Sequence, residues 1–251
     1  MGVATQRWHV SIDGYKGIDG SASFMPIEGL TKDSTALGDA ELAEMADLCA
    51  YGSCAFDVGF LSKQREEWVL VTQVRDNDQL MGFSFCTLER IGGTPALLVG
   101  VASIARGSQS DAALKALMRD QYHRALLAFP DEDVLVGTRL QGAGAYYVFA
   151  ELEDVVPRPD HKASGEERAW GRRLAKRFGA EGRIDDRTFQ LKGDGAMVGV
   201  LDYVPSDSGA SSSPEEEIAK LYEGLDCSMG DSLVVFGWAM AEDLASGKLG
   251  A

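Results

Sequence analysis

Between Trp68 and Leu152 the apolar positions fall into short runs and one long periodic stretch. EEWVLVTQV clusters apolar residues, DND supplies a turn, and QLMGFSFCTLERI returns. Gly92, Gly93 and Pro95 break the chain before PALLVGVASIA, a nearly continuous apolar run. Short apolar runs bounded by turn residues predict strands. The small polar loop RGSQSD leads into DAALKALMRDQYHRALLAF, where Ala112, Leu114, Leu117, Met118, Tyr122, Leu126 and Phe129 keep helical spacing. DVLVGTRL predicts one more strand, and AGAYYVFAEL a helix that closes the unit.

The loop before the long helix is the first candidate for chemistry. A helix N-terminus carries unpaired N–H groups and a partial positive charge, which suits a phosphate. Gly107 permits unusual dihedrals, Ser108 and Ser110 offer small donors, and Arg106 adds a cation. Asp111 argues the other way, since an N-cap carboxylate would satisfy the same N–H groups and repel an anion. The residues alone leave open an anion cradle or an ordinary capped turn.

This order of elements resembles the acetyl-CoA-dependent N-acetyltransferases of the GNAT type, over roughly residues 40–155. In that family the loop reads Arg/Gln-x-x-Gly-x-Gly/Ala. Here Arg106 and Gly107 keep its leading pair, while Gln109 and Asp111 replace the later glycines. The resemblance implies an α/β fold, a mixed and mostly antiparallel sheet flanked by helices. It implies acetyl-CoA or another acyl-CoA as co-substrate, held by Ser103 and Ile104 at the strand end and by Arg106, Gly107, Ser108, Gln109 and Ser110. It implies transfer of an acyl group to a primary amine on a small molecule or peptide. The family's AxxFY phrase falls on Ala143 to Tyr147, which makes Tyr147 the acid for the departing thiolate, with Tyr146 in reserve. No carboxylate lies within PALLVGVASIA, so Glu89 is the nearest base by position. The alternative is a non-catalytic relative that has lost CoA-dependent activity.

Outside this stretch, Asp39 to Tyr51 predicts an amphipathic helix with Leu42, Met45, Ala46 and Cys49 on one face. Residues 1–30 read as short strands, and GSCAFDVGFLSKQR as a connection in which Asp57 either faces an amine or caps a turn. We place a GNAT-like unit at residues 1–160 and a C-terminal extension at 161–251, packed on the first unit or forming part of it. The extension predicts a helix over EERAWGRRLAKRF, whose basic face binds an anion or pairs with neighbouring acids. Thr188–Lys192 and Met197–Val204 predict a hairpin, a linker ends at Pro214, and Leu233–Met240 predicts a helix ended by Gly247. The apolar Phe236, Trp238 and Met240 must dock on the body or on a second copy, so a homodimer is one expectation.

Composition narrows the function classes. The 251 residues are 45% hydrophobic and 25% charged, as in a globular protein. The formal charge of −15 disfavours nucleic acid as a partner. No apolar run is long enough to span a membrane and MGVATQRWHV lacks a signal core, which together predict a cytoplasmic protein. Cys49, Cys54, Cys86 and Cys227 lack metal-site spacing, and His9, His123 and His161 lie far apart, so no metal is expected.

Overall fold

The computed structural model describes residues 27–206 and 213–250. Strands β1 (Glu28–Asp33), β2 (Leu70–Asp76), β3 (Gln79–Ile91) and β4 (Thr94–Ile104) form an antiparallel meander. Asn77 at φ 53° and Gly92 and Gly93 at φ 61° and 93° make its tight turns. Positive φ is uncommon outside glycine, and asparagine is among the residues that tolerate it best.

Thr72 and Gln73 are neighbours on β2 and so point to opposite faces of the sheet. Thr72 takes a bond from Gln121 of α3 (Ser110–Ala128) at 3.5 Å, and Gln73 bonds Glu41 of α1 (Asp39–Cys49) at 3.1 Å. One face is therefore covered by α3 and the other by α1. The segment expected as a connection back to the sheet forms α2 (Val58–Glu67), and Asp57 caps it by accepting the Phe60 N–H at 2.7 Å. Of the two roles open to Asp57, the structure selects the cap.

After α3 the chain enters β5 (Val134–Leu140), which runs parallel to β4. The segment expected as a helix is instead a 3-10 stretch, Ala143–Phe149, followed by β6 (Glu153–Val156). The expected basic helix is α4 (Gly165–Arg177), opened by a reciprocal cap between Ser164 and Glu167. Arg172 and Arg177 pair with Asp186 and Glu89, and Arg173 lies over the Trp170 ring, so this face is paired with acids rather than set for an anion.

Two expectations for the extension are corrected. Thr188–Lys192 and Met197–Val204 do not pair with each other: β7 (Gln190–Leu191) joins the last strand, and β8 (Leu201–Asp202) joins β4. Leu233–Met240 is not a helix but lies in β9 (Ser232–Ala239), followed by the short helix α6 (Ala241–Ser246) that Gly247 ends at φ 69°. An apolar run of eight residues buried on both faces has no periodicity to tell strand from helix, and Val234, Val235 and Phe236 favour the strand. α5 (Ser213–Lys220) precedes β9.

The sheet order is β1-β2-β3-β4-β5-β9-β6. It is a mixed, mostly antiparallel sheet flanked by helices, with parallel pairs among the described residues at β4–β5 and β4–β8. Because β9 sits between β5 and β6, Phe236 and Trp238, two of the apolar residues that suggested a second copy, lie inside the sheet, and Met240 caps the helix that follows. Of the short strands expected over residues 1–30, only β1 falls within the described residues; the rest lies outside them.

Candidate functional site

The site forms where β4 and β5 part. Along β4 the register passes from Cys86↔Val99 to Phe85↔Val101, so Gly100 is an extra, bulged residue. A Cβ there would overlap the Trp68 indole, which leaves room only for glycine. Pairing with β5 covers Ala96–Val99 and stops at the bulge. Beyond it, β8 fills the gap: Ala102 and Ser103 face Leu201 and Asp202, and the Ala102 N–H donates to the Val200 carbonyl at 3.0 Å. The approach is close. A Cβ on Gly199 would stand 2.6 Å from the Gly100 carbonyl oxygen.

This strap, Val198–Ser206, takes up both charges of the loop between β4 and α3. Arg106 Nη2 donates to Asp202 Oδ1 at 2.5 Å and to Ser53 Oγ at 3.0 Å. The other oxygen of Asp202 accepts the N–H groups of Ser53 and Cys54 at 2.9 and 3.2 Å. Asp111 accepts from the Tyr203 hydroxyl at 2.6 Å and from the Ser206 N–H and hydroxyl at 2.9 and 2.7 Å. Burial pulls the Asp111 carboxyl upward, but the bonds from Tyr203 and Ser206 outweigh it and hold the group below its ordinary range. Tyr203 is pushed above its ordinary range by burial and by the Asp111 carboxylate. Asp111 is thus neither a cap nor a bare repulsive charge. Gln109 occupies the cap position without a side-chain capping bond, and Gly107 stands at φ 146°.

The structure sorts the expected site residues. Arg106, Gly107, Ser108, Gln109 and Ser110 form one turn at the open end of β4, with Ser103 and Ile104 buried just before it. Ser103 already shares its strand edge with β8. Tyr147 and Asp111 line one pocket of about 230 Å³ between α3 and the 3-10 segment, with Leu114, Met118 and Tyr122 among its walls. Tyr122 is 4% exposed, and its hydroxyl has no hydrogen-bond partner among the described residues. Tyr146 points elsewhere: its hydroxyl donates to the Pro157 carbonyl at 2.7 Å, and burial pushes it up to about 12. Glu89 is removed from the site. It faces Ala96 at the far end of β4, eight residues or roughly 25 Å from Ile104, and it pairs with Arg177 at 2.7 Å.

A second pocket, of about 290 Å³, lies against the α1–α2 loop at Ser53–Phe56 and the end of β5 at Gln141. The strap contributes Val198 to this pocket and Tyr203 to the other. A third groove, of about 440 Å³, runs along Arg158–Lys162 and α5 with charges of both signs. Among the described residues no group of three His, Cys, Asp or Glu side chains is placed to hold a metal ion, and no helix is long and apolar enough to cross a membrane.

Asp202, Tyr203, Ser206 and Ser53 were not singled out in the sequence. Their only sequence signal is a lone aspartate in the apolar run VGVLDYV, with Gly199 before it.

No family model matches this chain, and no curated protein does. Among solved structures, a conserved protein from Enterococcus faecalis V583, described as of unknown function and a probable N-acyltransferase, matches at 14% identity and a TM-score of 0.34. That match covers 53% of this chain and 37% of the other. A likeness this weak has no bearing on activity.

Proposed function

We propose that this protein transfers an acyl group from an acyl-CoA, in the simplest case acetyl-CoA, to a primary amine. The observation that carries the reading is the pocket between α3 and the 3-10 segment, which Tyr147 shares with the first turn of α3. Its apolar walls suit a thin pantetheine-like chain, and the unpartnered Tyr122 hydroxyl suits an amide along that chain. Arg106 and the turn at Gly107–Gln109, which lead into α3, would supply donors for phosphate oxygens.

In this reaction the neutral amine nitrogen bonds to the thioester carbon and the carbon–sulfur bond breaks. The amine proton leaves to water, the departing thiolate takes a proton from the Tyr147 hydroxyl, and the phenolate regains one from solvent. Tyr147 is the acid because it lines this pocket and Tyr146 does not. On this reading the protein acts in the cytoplasm, and the acceptor is a small molecule or peptide.

A second reading has its own support. The strap already consumes Arg106 and Asp111, as it would in a relative that keeps the fold and has lost CoA-dependent activity. Melting with and without excess acetyl-CoA separates the two. Ligand at a hundred times its dissociation constant stabilises by about 2.7 kcal/mol. A chain of this size should then melt roughly 5–10 °C higher. A shift of that size, lost in Arg106→Glu, supports acyl transfer; no shift at saturation leaves the non-catalytic reading.

A further inference from the structure

Arg139, near the end of β5, is a buried cation without a counter-ion among the described residues. It is 8% exposed; among the described residues its Nε has no hydrogen-bond partner and Nη1 reaches only the Phe178 carbonyl at 3.4 Å. The Phe178 ring lies 5.2 Å from the guanidinium carbon. Arg75, Arg90, Arg106 and Arg177 each hold a carboxylate. Among the described residues none pairs with Arg139: Glu67 is exposed and acts on it only from a distance, while Arg183 opposes it. Burial pulls the group down to about 10, which still leaves it charged at neutral pH. A buried charge with most of its donors unused is expensive, and such groups are ordinarily matched by an anion.

Its position points to where an anion would come from. Gln141 lies two residues on, just past the end of β5. Gln141 lines the 290 Å³ pocket together with Val198. The next residue, Gly199, would carry a Cβ only 3.4 Å from Arg139 Nη2. One stretch of strap backbone thus separates the guanidinium from the pocket. The pocket lining holds no charged side chain; Ala55, Phe56, Met197 and Val198 are apolar, and Ser53 and Gln141 are neutral. A cation behind neutral walls selects a ligand with a negative head and a modest apolar body.

We propose that this pocket binds a free amino acid with an apolar side chain, its carboxylate paired with Arg139 once Val198–Gly199 shifts aside. On the acyl-transfer reading this ligand is the amine acceptor, lying across the strap from Tyr147; the carboxylate site stands without that reading.

The test is calorimetric titration of the full chain with L-methionine and with L-methioninamide, which lacks the carboxylate. The acid should bind at least tenfold more tightly than the amide, and Arg139→Gln should abolish that preference. Ala55→Trp, which fills the pocket without touching Arg139, should lose methionine binding as well. Equal affinity for the two ligands, a preference that survives in Arg139→Gln, or no heat from either overturns the proposal. Melting with acetyl-CoA separates the two claims. Methionine binding without an acetyl-CoA shift keeps this site and discards acyl transfer, and the reverse pattern does the opposite.

Discussion

Arg106 and Asp202 stand 96 residues apart in the chain and 2.5 Å apart in space. Asp202 is 4% exposed and also accepts two N–H groups from the α1–α2 loop. One carboxylate therefore ties three segments together: the turn before α3, the loop after α1, and the strap lying between β4 and β5.

Asp202→Asn should accordingly do two things. Loss of the charge leaves Arg106 without its partner, and breaking a buried pair from one side costs about 3–5 kcal/mol. Arg106 is 24% exposed, so water recovers part of that and a loss of about 2–3 kcal/mol in urea unfolding is expected. The strap should also loosen. If it obstructs acetyl-CoA, the variant binds that ligand more tightly than wild type despite its lower stability. An unchanged dissociation constant would show that the strap is no obstacle.

The two adjacent tyrosines should separate cleanly. On the acyl-transfer reading, Tyr147→Phe removes the proposed acid from the pocket and should lower kcat by about 10²-fold or more, with KM for the acyl donor little changed. Tyr146→Phe breaks only the bond to Pro157, which costs about 1 kcal/mol of stability, and should leave kcat near wild type. Steady-state rates and melting curves on the two variants check both. Equal losses of rate would mean the pair acts through packing alone.

Strands β2 to β5 and α3 were legible because their patterns are local. Alternation, the turns at Asn77 and Gly92–Gly93, and helical spacing from Ala112 to Phe129 each fix an element without reference to the rest of the chain. The site was legible only in half. Arg106 to Ser110 and Tyr147 lie in that local stretch, whereas Asp202 and Tyr203 reach it from about ninety residues further on. Pairing over such a distance leaves no periodic trace, and a two-residue strand such as β8 is too short to show one. Glu89 failed for a related reason. Nearness in sequence to the central strand says nothing about which end of it a residue faces.

Acid stability should depend on Asp231. Its carboxylate accepts from Lys192 at 2.7 Å, from the Gly193 N–H at 2.8 Å and from the Asp226 N–H at 3.1 Å. The Lys192 bond, followed by the Gly193 bond, lowers the group from 3.8 to about 2. A carboxyl depressed in the folded state adds stability that is complete above its unfolded value and lost as pH falls through the folded one. The loss should run from about pH 4 down to about pH 2. Asp231→Asn should be less stable at neutral pH and should flatten that part of the curve. Unfolding free energies measured across pH 2–5 decide it, and a curve identical to wild type would assign the acid transition to other carboxylates.

β9 makes the two ends of the chain inseparable. It pairs with β5 from Val134↔Ala239 to Leu140↔Leu233, and β6 has no other strand partner among the described residues. A chain ending at residue 160 would expose the edge of β5 and leave β6 detached, with Phe149 and Leu152 stripped of their cover. Such a fragment should fail to give a dispersed amide spectrum. Within the full chain, Phe236, which is 1% exposed and stacks edge-on with Phe189 at 6.0 Å, is the point of greatest leverage. Phe236→Ala should cost about 3–5 kcal/mol, against near-neutral effects at the exposed Leu127 or Val69. One cooperative unfolding transition in wild type, lowered as a whole by Phe236→Ala, is the expected result. Two transitions, only one of them shifted, would show that the extension folds apart from the rest of the sheet.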